Sequence, residues 1–188
     1  MPRAPQPPGR HRRLAAALSA LLVALAGGAP GHAEPPTGEA LRAAVARAAP
    51  RAFDLYRDLL RYPNDALQPE RMPALIGWLR AELETRGFTT AELPTGRIPL
   101  VLAERSVPGS DATVLVYLQA DGQPVDPSAW DQESPWEPVL KERAEGGVWR
   151  PIPWSRLRGE RDPEWRIFAR SAADSKGPIA QFLTALDL

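Results

Sequence analysis

Cysteine is absent from all 188 residues. The chain therefore forms no disulfide and carries no lipoprotein anchor, and its composition is compatible with export. Histidine is nearly absent. His11 and His32 are the only two, and both lie in the first 33 residues. Basic and acidic side chains balance at 23 each, so no net charge directs the chain to nucleic acid or an anionic membrane. The apolar run 14–26 is shorter than the ~20 residues that span a bilayer.

That run has a different explanation. Arg3, Arg10, Arg12 and Arg13 precede it, and Gly31-His32-Ala33 follows it with small residues at the two positions a signal peptidase needs. Residues 1–33 read as a secretory signal peptide, which places the protein in the periplasm or outside the cell, without a stable membrane anchor. Removing them leaves 155 residues with no histidine, and 19 basic against 23 acidic side chains, a net charge of −4. That length suits one domain with a sizeable core. Residues 34–39 are a Pro-rich linker, and 40–188 form the domain.

The domain opens with helical periodicity. Leu41, Val45 and Ala48 share one face, Pro50 interrupts it, and Phe53, Tyr56, Leu59 and Leu60 continue it, which predicts a helix broken at Ala49-Pro50. A turn at 62–65 leads to a second helix over 70–86 with Leu75, Ile76, Leu79 and Leu83 inward. Residues 88–93 and 98–103 read as strands around Pro94-Thr95-Gly96. Residues 114–118, Val-Leu-Val-Tyr-Leu, predict a buried central strand stopped by Asp121-Gly122. Together these give an α/β class, with helices flanking a mixed β-sheet.

The stretch 126–167 holds Trp130, Trp136, Trp149, Trp154 and Trp165. It reads either as an aromatic surface facing a substrate or as an irregular excursion packed down by its own indoles. Arg156, Arg158 and Arg161 interleave with tryptophans, but Glu160, Asp162 and Glu164 cancel their charge, which excludes a nucleic-acid groove.

Two polar segments carry the chemistry: 119–125, Gln-Ala-Asp-Gly-Gln-Pro-Val, just past the expected central strand, and 169–178, Ala-Arg-Ser-Ala-Ala-Asp-Ser-Lys-Gly-Pro. A carboxylate beyond the end of a buried strand lies on the rim where open α/β sheets bind ligands. Asp121 precedes glycine, a common turn pair. Asp174 or Ser175 can cap a helix beginning near Lys176, with Pro178 in its first turn. Lys176-Gly177 lacks the preceding glycines of a phosphate loop. Arg170 reads as positioning its loop.

In these two segments the chain resembles the M20 metallopeptidases. That family carries Gly-His-x-Asp-x-Gln-Pro-Val after a strand, a Trp shortly after it, and later Gly-Arg-Gly-x-x-Asp-(Asp/Asn)-Lys-Gly-Pro. Residues 118–125 fit the first motif, Trp130 the following tryptophan, and 169–178 the second. The resemblance covers roughly residue 51 to the end. It implies a zinc-exopeptidase-like domain with two zinc ions, acting on amide bonds of a peptide or small acylated amino acid. It also implies that Asp121 orients a metal-bound histidine and that Asp174 bridges the two ions.

One position departs from the pattern, because Gln119 stands where the family has its metal-binding histidine. A glutamine offers a neutral carbonyl oxygen, a poor exchange for imidazole at zinc; Gln119 is either a substitute ligand or a polar strand-end residue. The family's general base, remaining ligands and dimerisation domain follow the second motif, so the resemblance places them beyond Leu188. It also makes this chain a truncated N-terminal part, inactive alone, of a protein that dimerises at full length. Two functions stand side by side: an exported metal-dependent hydrolase, and a metal-free M20-like binding protein.

Overall fold

The computed structural model describes residues 36–159 and 161–188; the expected signal peptide and both histidines lie outside them. Three helices build the core. They are α1 (Gly38–Leu60), α2 (Met72–Glu84) and α3 (Gly177–Leu186). Leu59 from α1, Met72, Leu75, Ile76 and Leu79 from α2, and Ile179, Ala180 and Leu183 from α3 pack into one buried cluster. Burial of each large side chain contributes about 1.5–3 kcal/mol, which makes this cluster the main apolar support of the domain.

α1 does not break at Pro50. The helix runs through the proline, which removes one backbone donor without ending the helix. The face expected inward before Pro50 is in fact outward, with Leu41 and Val45 45% and 48% exposed. In the second half of α1, Leu55, Tyr56 and Leu59 join the core. The Trp78 indole N–H on α2 donates to the Asp58 carboxylate at 2.8 Å and ties the two helices together.

The strands form two separate antiparallel sheets rather than one mixed sheet. β1 (Thr89–Leu93) and β2 (Leu100–Glu104) make a hairpin, in register from Thr89 opposite Glu104 to Leu93 opposite Leu100. It lies by α2, where Arg80 donates to Thr90 at 3.0 Å and pairs with Glu92 at 2.7 Å. The second sheet has the order β4–β3–β5, from β3 (Val139–Arg143), β4 (Trp149–Pro151) and β5 (Arg166–Phe168).

This second sheet corrects the expectation of an irregular excursion over 126–167. The tryptophans do pack it down. Trp136 is buried, Trp149 sits edge-on to Phe168 with centroids 5.2 Å apart, and the Trp154 indole donates to the Pro138 carbonyl at 3.2 Å. Arg156 lies over the Trp165 ring at 4.5 Å.

The largest correction concerns 114–118. Val114, Leu115 and Tyr117 are 84%, 90% and 78% exposed, and the segment belongs to no sheet. β-branched and aromatic residues fit a strand surface, but a strand exists only through a ladder to a neighbour. Among the described residues no neighbouring strand reaches this run. The class is thus mixed helix and sheet, without the expected central strand.

Candidate functional site

The two polar segments meet, although they are about fifty residues apart in sequence. Their junction is built around Asn64, which is fully buried in the turn after α1. Its side-chain amide donates to the Ala120 carbonyl at 2.8 Å. Its main-chain carbonyl accepts from the Gly122 N–H at 2.6 Å, and the Gly122 carbonyl accepts from the Ala66 N–H at 3.0 Å. Asp65 and Gly122 form an isolated parallel bridge. Asp65 itself is buried, accepting from the Leu67 N–H at 2.8 Å and the Gln68 amide at 3.2 Å.

The second segment closes on the other side. Ser171 takes a left-handed conformation (φ 58°) and donates from its hydroxyl to Asn64 Oδ1 at 3.2 Å. A Cβ placed on Gly122 would lie 2.5 Å from Ser171 Oγ and 3.0 Å from Asn64 Nδ2. Glycine is required here by close approach, rather than by the turn that Asp121-Gly122 suggested. Arg170 donates twice to the Gln123 carbonyl, at 3.0 Å through Nε and 2.7 Å through Nη2. Ser175 donates from its hydroxyl to the Gln119 carbonyl at 2.5 Å.

Entry into α3 is correspondingly tight. Residues 172–176 form a wide turn, and a Cβ on Gly177 would lie 2.8 Å from the Ala172 carbonyl oxygen. The Tyr56 hydroxyl donates to that same carbonyl at 2.5 Å, and burial pushes the Tyr56 pKa up to about 12. No side chain caps α3. The sequence allows Asp174 or Ser175 that role, but the Ser175 hydroxyl donates to the Gln119 carbonyl instead. Lys176, fully buried, donates from its Nζ to the carbonyls of Leu60 at 3.2 Å and of Tyr62, and stands 5.0 Å over the Trp136 ring. Burial pushes its pKa down to about 7.

Beside this junction lies a cavity of about 460 Å³. Gln123 and Pro124 of the first segment, Trp130, Phe168, and Arg170 and Asp174 of the second face it. Of the three residues singled out from sequence, Asp174 alone lines it. Gln119 and Asp121 are exposed and stand outside the lining. Asn64 and Ser171 carried no signal of a site in the sequence, and Ser175 signalled only a helix cap; the roles of all three depend on partners far along the chain.

The resemblance implies two zinc ions. Gln119 engages the second segment through its main-chain carbonyl, and among the described residues no three His, Cys, Asp or Glu side chains gather to hold a metal ion. A bridging carboxylate needs further donors around both cations, so the residues described do not fit a two-ion centre. What the arrangement offers is an apolar and aromatic wall with one cationic and one anionic side chain, a composition suited to orienting a small polar ligand. No family model, curated protein or solved structure matches the chain. Among the described residues no helix is long and apolar enough to cross a membrane.

Proposed function

We propose that the chain carries part of an exported, M20-like hydrolase domain of zinc-exopeptidase type, and that the junction of 119–125 with 168–178 is its substrate-binding rim. The substrates are peptides or small N-acyl amino acids. A single observation supports the reading: the two segments that resemble the M20 motifs are held against each other, through Asn64, Ser171 and Ser175, beside one cavity. Among the described residues the donors do not make a metal centre.

A second reading, a metal-free binding protein on the same scaffold, draws on a specific feature. Gln119 occupies the position of the family's histidine, and it is the Gln119 main-chain carbonyl, not its side chain, that accepts from the Ser175 hydroxyl. One experiment separates the two. Zinc binding and dipeptide binding are measured by calorimetry on the same samples, for the unmodified protein and Asp174→Asn. Zinc binding lost on the substitution supports the hydrolase. Dipeptide binding without zinc binding supports the second reading, and binding of neither overturns both.

A further inference from the structure

The cavity is lined by two residues of opposite charge, Arg170 and Asp174, that make no ion pair among the described residues. Arg170 pairs with no carboxylate among the described residues. Its Nε and one Nη2 proton are held by the Gln123 carbonyl, which fixes the plane of the guanidinium and leaves Nη1 unengaged. Asp174, on the same cavity, takes part in no hydrogen bond or ion pair among the described residues. Two oppositely charged residues, one with its guanidinium plane fixed and the other exposed, thus line a space of about 460 Å³ without an ion pair among the described residues.

Between them the wall is apolar and aromatic. Trp130 and Phe168 line it together with Ile167. The Phe168 ring is held by Trp149 edge-on and by the Lys141 ammonium at 4.7 Å, so this part of the wall is preformed. The Trp130 indole N–H has no acceptor among the described residues, and so remains open to a ligand.

From this we infer that the cavity takes a zwitterionic ligand of dipeptide size, its carboxylate on Arg170, its ammonium on Asp174 and an apolar side chain against Trp130 and Phe168. A guanidinium fixed in plane accepts a carboxylate through paired N–H donors, where an ammonium would act as a point charge. Cavities of this volume bury ligands of that size. The inference rests on the reading of the junction as a substrate-binding rim, and specifies which end of the substrate goes where.

The test uses the 188-residue chain and three probes: glycyl-phenylalanine, its N-acetyl form and its C-terminal amide, with binding read by calorimetry. The free dipeptide is expected to bind about tenfold more tightly than either blocked form, since each blocked form loses one charge-assisted contact. Arg170→Gln should weaken the free dipeptide and the N-acetyl form but leave the amide unchanged. Asp174→Asn should weaken the free dipeptide and the amide but leave the N-acetyl form unchanged. Arg170→Lys, which keeps the charge but not the fork, should restore part of the loss, and thermal melting confirms that each variant is folded.

Equal binding of all three probes, still lost on Trp130→Ala, would overturn the charge assignment while leaving the rim in place. Absence of binding by every probe to the folded protein would overturn the rim and this inference together.

Discussion

The ammonium of Lys176 lies 5.0 Å above the Trp136 ring and reaches back to the carbonyls that end α1. One fully buried lysine thereby joins the end of α1, the segment leading to α3, and the loop before β3. The indole face and the two carbonyls favour the charged form, while burial opposes it and pushes the pKa down to about 7. In the unfolded chain a lysine titrates near ~10.4. Between these values the unfolded state binds a proton that the folded state does not, so stability rises as pH is raised from about 7 to about 10. Below that window both states are charged and this group adds no slope.

Urea unfolding of the unmodified protein and Lys176→Met across this range checks the point. The unmodified protein should show an upward slope, at most about 1.4 kcal/mol per pH unit, that the variant lacks. Parallel curves for the two proteins would refute it.

Arg86 makes a second long-range tie. Its guanidinium pairs with Glu82 at 2.7 Å and Asp187 at 2.8 Å and donates to the Leu183 carbonyl at 3.1 Å, with only 6% of its side chain exposed. Burial lowers its pKa, the bonds to Asp187 and Glu82 raise it, and the balance is upward. Arg86→Met strands two half-buried carboxylates. It should reduce stability by about 2 kcal/mol, between the values for exposed and buried pairs. Arg86→Lys should recover less than half of that, because an ammonium cannot serve the three acceptors in one plane. Full recovery by lysine would show that charge alone matters.

The exposed run 114–117 predicts behaviour in solution. Val-Leu-Val-Tyr, exposed, uncharged and without a sheet partner, is a template for pairing with another chain. Light scattering over a concentration series should show association of the unmodified protein, and Leu115→Lys should suppress it. The melting midpoint should be unchanged within about 0.5 kcal/mol of stability, since Leu115 is 90% exposed. Association undiminished in the variant would place the contact elsewhere.

The sequence pattern conveyed some of this architecture and withheld the rest for identifiable reasons. The period of Leu75, Ile76 and Leu79 gives α2, and the Pro94-Thr95-Gly96 turn gives the β1–β2 hairpin, because both depend on neighbours in sequence. Residues 114–118 carry the composition of a strand, but composition does not supply the partner strand that a ladder needs. Pro50 predicts a break only if the donor it removes was required. Asn64 looked like a turn residue; its partners Ala120 and Ser171 are 56 and 107 positions away, and no local signal marks such a pairing. Lys176 conceals its role in the opposite way, since lysine is almost never fully buried and its acceptors are main-chain carbonyls.

The two polar segments close one site by direct contact of Gly122 with Ser171. A Cβ on residue 122 would meet Ser171 Oγ at 2.5 Å, so Gly122→Ala should destabilise by about 1–3 kcal/mol. Ser171→Gly removes the clashing hydroxyl at a left-handed position that glycine adopts without strain. A double-mutant cycle in chemical denaturation is therefore the most direct measurement. Gly122→Ala should be partly rescued in the Ser171→Gly background, with a favourable coupling of about 1 kcal/mol. Simple additivity of the two substitutions would mean that the segments do not touch there, and would contradict the site.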